Sequence, residues 1–151
     1  MRKLILLSLL AFTFAQAGFA QKLIIGSKTP DLKGVEWKTS APQTGKATLI
    51  EFYQSTNESS SKLYLKLAKI ASKYGGAIDI VVLTREDNAT INSLVQQDGS
   101  RYSFGYDADG TVYDAYGVKF VPFTMLVDSK GNLLWQGNLS NITDQVLQKV
   151  K

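Results

Sequence analysis

The sequence predicts an α/β fold in which a mixed β-sheet is sandwiched by helices on both faces. Short apolar segments rich in β-branched residues alternate with segments whose apolar residues recur at helical spacing, an order that gives parallel strands joined by right-handed crossovers. Two further apolar segments near the C-terminus are separated only by a turn, residues 128–132, which adds antiparallel strands. The length of 151 residues suits a single domain.

The N-terminus is predicted to be a secretory signal peptide. Two positive charges precede an apolar run over residues 4–14, and small residues follow the run. The run is shorter than the roughly 20 residues that span a bilayer. Cleavage sites of the A-x-A type end at Ala17 and Ala20; we favour the second, which gives a signal peptide at 1–20 and a mature domain at 21–151. The alternative is a buried N-terminal helix.

The first half of the mature chain reads as strand, helix, strand, helix. Residues 48–53 are mostly apolar, as in a central strand. Residues 59–74 carry an apolar stripe at helical spacing, and the Gly pair at 75–76 is a helix breaker. Residues 77–83 predict a second buried strand, and residues 88–97 predict a short helix. The stripe consists of Leu63, Leu67, Ile70, Ala71 and Tyr74.

The second half predicts a hairpin between two helical segments. Residues 110–116 have a weaker helical pattern. Residues 123–127 read as a third core strand, and the turn at 128–132 contains a glycine that can take the unusual dihedral angles of a hairpin. Residues 133–136 pair back as the next strand. Residues 142–149 are predicted to close the chain as an amphipathic helix.

The composition excludes several classes of function. The chain has no histidine and no cysteine, so a Ser-His-Asp triad and a zinc site of the Cys/His type are both excluded. We expect no metal and no cofactor. Loss of residues 1–20 removes two positive charges and no negative charge, so the net charge falls from +4 to +2. That weak positive charge does not favour nucleic-acid binding.

Five segments in order along residues 23–150 carry recognisable motifs. They are residues 25–31 (IGSKTPD), 51–53 (EFY), 112–118 (VYDAYGV), 121–122 (VP) and 126–132 (LVDSKGN). The first has the form G-x-x-x-P-D, the second ends a strand with an acidic residue and two aromatics, and the last matches a hairpin of the type l-I-D-x-x-G. Together they resemble motifs of the thioredoxin fold, in particular of the family that joins periplasmic TlpA-type thioredoxins and peroxiredoxins.

The sequence departs from this family at the reactive site. Aligning the family's C-x-x-C motif places Asn57 and Ser60 at the two cysteine positions, with Glu58 and Ser59 between them. Thr56 stands where the family has a tryptophan. The resemblance therefore implies the fold but not the activity, because thiol–disulfide exchange requires a thiolate. These residues are expected at a helix N-terminus, either as ordinary caps or as an anion site.

The resemblance implies roles for residues beyond the former redox loop. Glu51 matches a buried acidic residue and is expected to have a raised pKa; the alternative is that the strand turns it to solvent. The Val121–Pro122 bond is expected to be cis, and the alternative is a trans loop proline. In the family, the backbone before this proline pairs with an extended substrate. The expected groove residues are Thr56, Phe120, Val121, Pro122 and Phe123.

Four lysines of the first predicted helix form a second stripe. Their spacing places them on one side of the helix and favours a solvated face. The alternative is a docking surface for an acidic partner. The stripe consists of Lys62, Lys66, Lys69 and Lys73.

These observations predict an exported, redox-inactive, thioredoxin-like protein that is not an enzyme. We expect it to act as a binding or accessory protein that holds a protein or peptide partner in the former substrate groove, in the periplasm or outside the cell, without stable insertion in a membrane after signal cleavage. One alternative is an accessory subunit of a thiol–disulfide or peroxiredoxin-type system whose thiols lie on another chain. Another is a cysteine-independent enzyme that uses Glu51, Glu58 and the serines at 59–61.

Overall fold

A computed structural model describes residues 22–150. The predicted signal peptide, residues 1–20, lies outside the described residues. The six strands are β1 (Glu36–Trp37), β2 (Ala47–Tyr53), β3 (Ile78–Thr84), β4 (Ser103–Tyr106), β5 (Phe123–Val127) and β6 (Leu133–Gly137). The four α-helices are α1 (Glu58–Tyr74), α2 (Asn88–Asp98), α3 (Thr111–Ala115) and α4 (Asp144–Leu147), with 3-10 turns at Leu139–Asn141 and Gln148–Val150.

The six strands form one mixed sheet in the order β1-β4-β3-β2-β5-β6. Strand β2 is parallel to β3, and β3 is parallel to β4. Strand β5 is antiparallel to β2, and β6 is antiparallel to β5. The central strand β2 is buried along almost its whole length, as expected for a strand covered on both faces. The predicted mixed sheet is confirmed.

Each face of the sheet carries its own apolar layer. Helices α1, α2 and α4 pack on one face, where Leu67, Ile91 and Leu147 meet alternate residues of β2 and β3. Helix α3 lies on the other face, where Val112 and Tyr113 pack with the opposite set of strand residues. Helices therefore cover both faces, as the sequence predicted, because β2 and β3 present apolar side chains in both directions.

The buried stripe of helix α1 shares three residues with the predicted stripe and differs from it at the other two. Leu67, Ile70 and Tyr74 are buried as expected, but Leu63 and Ala71 are only half-buried. Tyr64 and Ser60 are buried instead. The Tyr64 hydroxyl donates to Asp98 Oδ2 at 2.7 Å, so the ring can be buried without leaving a polar group unpaired.

Two short strands were not predicted. Strand β1 has two residues and β4 has four, so neither extends far enough to show an alternating pattern. Strand β4 contains Gly105, where a Cβ atom would lie 2.4 Å from a methyl carbon of Val35 and 2.6 Å from one of Leu83. Only glycine fits this close approach, and glycine reads as a turn rather than a strand in the sequence.

The prediction of a C-terminal helix over residues 142–149 is wrong in the length of the helix. Its α-helical part is the four-residue α4, which begins after the cap Thr143. The segment is held by the lysine stripe: Lys66 Nζ donates to Leu139 O at 2.8 Å, and Lys73 pairs with Asp144 at 2.6 Å. Part of the predicted solvated face is thus used to dock the C-terminus, a long-range contact that helical spacing cannot reveal.

Candidate functional site

The residues of the former redox loop and of the proline loop lie together at one end of the sheet. Residues 54–57 connect the carboxyl end of β2 to α1, and residues 118–122 lead into β5, which pairs with β2. The Val121–Pro122 bond is cis, so that prediction is confirmed and the trans alternative is wrong.

Asn57, at the first cysteine position, joins the two loops. Its Oδ1 accepts a hydrogen bond from the Ser60 N–H at 3.1 Å and so caps α1. Its Nδ2 donates to Val121 O at 3.2 Å, directly before the cis proline. The side chain at the position aligned with the family's first cysteine therefore ties the start of α1 to the proline loop.

Ser60, at the second cysteine position, is fully buried. Its Oγ accepts a hydrogen bond from the Gln54 N–H at 3.4 Å. Glu58 and Ser59 are exposed, and Glu58 pairs with Lys62 at 2.6 Å. Asn57 and Ser60 thus hold the first turn of α1, which agrees with the capping alternative.

Glu86 is a site residue that the sequence reasoning missed. Its carboxylate accepts from the Ser55 N–H at 2.7 Å and from Ser55 Oγ at 2.6 Å, which anchors the loop before α1. The Glu86 N–H donates to Thr84 Oγ1 at 3.0 Å. The Thr-x-Glu sequence after a predicted strand is a local turn signal, but the bond to Ser55 follows only from the pairing of β2 with β3.

Glu51 is buried in the core beneath α1. It stands opposite Thr124 in the sheet, and Thr124 Oγ1 donates to Glu51 Oε2. Oε1 has no hydrogen-bond partner among the described residues. Burial raises the pKa of Glu51 to about 8, although the Thr124 hydrogen bond opposes the shift. The solvent-facing alternative for Glu51 is therefore wrong.

The predicted groove residues differ in exposure. Phe120 is 84% exposed, and Thr56 is also exposed. Val121 and Pro122 are half-buried. Phe123 is half-buried as well, and its ring lies 6.5 Å from that of Phe52 in the layer beside α3. Phe120 therefore supplies most of the exposed aromatic surface beside the proline loop, whereas Phe123 is partly used in the core.

A cleft of about 340 Å³ opens next to the proline loop. Tyr53, Tyr113 and Phe120 contribute aromatic surface to it, and Arg85, Glu86 and Lys119 contribute charge. The Tyr113 hydroxyl donates to Leu83 O at 2.9 Å. Burial, together with the charge of Asp107, raises the pKa of Tyr113, so its hydroxyl stays protonated near neutral pH.

The site contains no group for thiol–disulfide chemistry. The chain has no cysteine, and the hydroxyl and amide groups at the two cysteine positions cannot form the thiolate that exchange requires. Among residues 22–150, no cluster of three acidic side chains could hold a metal ion. Over the same residues, no helix has the length and apolar character of a membrane span.

The sequence matches no protein-family model and no curated protein. Solved structures do share its fold. A Chlorobium tepidum protein assigned as the thiol:disulfide interchange protein DsbE is 22% identical, with a TM-score of 0.67 over 76% of this chain and 85% of that one. A thioredoxin-like protein in its oxidized form is 19% identical, with a TM-score of 0.70 over 83% of this chain and 98% of that one.

A third similar structure is the bacterioferritin comigratory protein of Xanthomonas campestris, whose alkyl peroxide reduction activity has been studied. It is 14% identical, with a TM-score of 0.61 over 77% of this chain and 87% of that one. Identities this low establish the fold only. Residues 22–150 therefore form a thioredoxin-like fold, similar to proteins of the DsbE and peroxiredoxin types, in a chain that has no cysteine.

Proposed function

We propose that this protein is an exported, non-catalytic binding or accessory protein that holds an extended protein or peptide segment beside its proline loop. In this proposal the bound segment would lie beside Thr56 and Asn57 on one side and Phe120 and Val121 on the other. The absence of any thiol supports a role without redox turnover. The apolar run and small residues within 1–20 support export.

One observation carries this proposal: an unpaired backbone donor lies beside an exposed aromatic ring. Within residues 22–150, the Val121 N–H donates no hydrogen bond. The neighbouring Phe120 is 84% exposed. An extended segment that pairs with Val121 would satisfy this N–H, as in strand addition to a sheet edge, and would cover the Phe120 ring at the same time.

The groove is held in shape from both sides. Asn57 Nδ2 donates to Val121 O at 3.2 Å, and Glu86 fixes the loop that precedes Asn57 through Ser55. Phe123, the residue after the proline, packs against Phe52. A site fixed before binding loses less conformational entropy when a partner adds to it.

Selection from a random peptide library tests this proposal. A selected peptide should perturb the backbone amide NMR signals of residues 56–57 and 119–121. Phe120→Ser should weaken its binding by about tenfold or more, in line with loss of an aromatic anchor. Thr56→Arg should also weaken binding, because the longer charged side chain would obstruct the groove.

Leu65→Ser is the matched control, because Leu65 is 70% exposed on α1. This substitution removes a similar apolar surface and should leave peptide binding unchanged. Equal binding by the parent and the Phe120→Ser variant, or shifts centred on α1, would contradict the proposal. Enhanced turnover when the protein is added to a cysteine-bearing thioredoxin would instead favour the accessory-subunit function.

Export is tested by the N-terminus of the protein recovered from its native cell envelope. Cleavage after Ala20 would leave Gln21 as the first residue. A protein that retains residues 1–20 and remains in the cytoplasm would contradict export but not the groove.

A further inference from the structure

The cleft beside the proline loop has a place and a size that suit a small ligand. Its volume is about 340 Å³, within the usual range for small-molecule sites, roughly 300–1,000 Å³. It opens beyond the carboxyl ends of the parallel strands β2 and β3, where Tyr53 and Thr84 are the last residues. Ligands of open α/β sheets characteristically bind at this end of the strands.

Arg85 presents an uncompensated charge to this cleft. Its guanidinium carbon lies 5.8 Å from the centre of the Tyr113 ring. It also packs against Gly110, where a Cβ atom would lie 2.7 Å from that carbon, so the glycine leaves room for the guanidinium. Within residues 22–150, Arg85 makes no ion pair.

The two carboxylates that follow Arg85 in the chain, and Asp107 before α3, accept hydrogen bonds from neutral donors. Asp87 accepts from the Thr90 N–H at 3.3 Å. Glu86 accepts two hydrogen bonds from Ser55. Asp107 is fully buried and accepts from the Val112 N–H at 3.2 Å and the Tyr113 N–H at 2.9 Å, at the start of α3. The guanidinium therefore keeps its donors available for a ligand.

Lys119 adds a second positive charge at the rim of the cleft. It is exposed on the loop between α3 and β5, and in the part of the chain that the structure describes it has neither an ion pair nor a side-chain hydrogen bond. Two cations and one engaged carboxylate leave the lining with a net positive charge. The remaining wall includes the rings of Tyr53, Tyr113 and Phe120.

We propose that this cleft binds a carboxylate that carries an aromatic or apolar body. The carboxylate would accept hydrogen bonds from Arg85 and Lys119, and the body would pack against Phe120 and the two tyrosines. Arginine suits this role because its planar guanidinium matches a carboxylate in a two-point contact. Such a carboxylate belongs either to a free small acid or to the C-terminus of a peptide. The site does not depend on strand addition at Val121.

Amide NMR titration with three small molecules of similar shape tests whether binding requires a negatively charged ligand. Phenylacetate should shift the signals of residues lining the cleft, whereas neutral phenylacetamide and cationic phenethylamine should bind at least about tenfold more weakly. Added salt should weaken phenylacetate binding, because Arg85 and Lys119 are exposed. Equal binding of all three probes, or no binding of phenylacetate, would overturn the proposal.

Substitutions test which positively charged side chains contribute to phenylacetate binding. Arg85→Gln should weaken phenylacetate binding by about tenfold, and Lys119→Gln should weaken it by a smaller factor. Arg101→Gln is the matched control: Arg101 lies 6.0 Å from the Tyr102 ring but pairs with Asp98 and lines a different cleft at the start of β3 and β4. Unchanged affinity in both cleft variants would overturn the proposal. If Arg85→Gln fails to fold, Lys119→Glu provides the test, with abolished binding expected.

Two versions of a short peptide that ends in phenylalanine distinguish the sources of the carboxylate. A peptide with a free C-terminus that binds more tightly than phenylacetate, and loses this advantage when amidated, identifies a peptide terminus. Equal binding by the free and amidated peptides, weaker than that of phenylacetate, identifies a free small acid. Binding of the amidated peptide more tightly than phenylacetate, with no loss in Arg85→Gln, would overturn the cleft proposal while supporting the groove.

Discussion

At the scale of single residues, the carboxyl of Glu51 is fully buried and only partly hydrogen-bonded. One oxygen accepts from Thr124 and the other has no partner among the described residues. Burial raises its pKa from 4.5 to about 8, so the folded protein holds this carboxyl protonated at neutral pH. An ionised carboxylate in this position would lack the solvation that water provides.

The raised pKa predicts a stability that falls as pH rises. Between about 4.5 and about 8, the unfolded chain releases the Glu51 proton while the folded chain retains it. The stability that depends on a protonated Glu51 is therefore fully present below pH 4.5 and is lost as pH rises towards 8. Each unit of pKa shift corresponds to about 1.4 kcal/mol, so the total loss is on the order of 5 kcal/mol at most.

Glu51→Gln tests this dependence. A neutral amide retains an acceptor for Thr124 and has no proton to lose, so urea unfolding of the variant should show a smaller decrease in stability between pH 5 and 8. At pH 8 the variant should be more stable than the parent. A parent and variant whose free energies of unfolding change in parallel with pH would mean that Glu51 does not titrate in this range.

At the scale of elements, the first turn of α1 and the loop before it form one hydrogen-bonded unit. Asn57 caps the helix and reaches Val121, and Glu86 holds Ser55. The sequence predicted the helix to within one residue of each end and placed capping residues at its start. It did not predict the role of Glu86, because the hydrogen bond that Ser55 donates to Glu86 joins residues 31 positions apart in the chain.

Removal of the Glu86 carboxylate should loosen the loop. Glu86→Ala leaves the Ser55 N–H without its acceptor, and we expect a loss of about 1–3 kcal/mol in the free energy of unfolding, with faster hydrogen exchange at Ser55. Glu58→Ala is the control, because its ion pair with Lys62 is exposed and should contribute less than about 1 kcal/mol. Equal losses in the two variants would show that the Glu86 contacts do not stabilise the loop.

The alignment of Asn57 and Ser60 with the family's two cysteines is tested by introducing both cysteines. Asn57→Cys combined with Ser60→Cys creates a C-x-x-C sequence at the N-terminus of α1, where the helix dipole should lower the pKa of the first thiol below about 8.5. Mild oxidation should close the disulfide. Ser60→Cys alone should react slowly with thiol reagents, since Ser60 is fully buried. A folded double variant that stays reduced would place these residues outside the redox position.

At the scale of the whole molecule, the chain is held together without any disulfide, because it has no cysteine. Two apolar layers on a six-stranded sheet supply the packing. The C-terminal segment belongs to the layer beside α1: Leu139 is fully buried there, with Ile142 and Leu147. Lys66 donates a hydrogen bond to the carbonyl of Leu139. The C-terminal segment is therefore packed into the core and does not form a separate tail.

A pair of leucine substitutions tests this arrangement. Leu139→Ala should reduce the free energy of unfolding by about 2–5 kcal/mol, because it leaves a cavity in the core. Leu65→Ala should change it by less than about 0.5 kcal/mol, because Leu65 lies exposed on α1. The two variants lose the same atoms, so similar effects in urea unfolding would mean that the C-terminal segment does not pack as described.

The sequence by itself determined the order of the main strands and helices, the absence of thiol and imidazole chemistry, and, through the family resemblance, the cis proline. Periodicity and composition are local properties and can be read without a structure. Only the tertiary structure decided the contacts of Asn57 with Val121 and of Arg85 with Tyr113. Asn57 meets Val121 because β2 and β5 are neighbours in the sheet. Arg85 meets Tyr113 because α3 packs on the face of β2 and β3. Both are consequences of long-range packing.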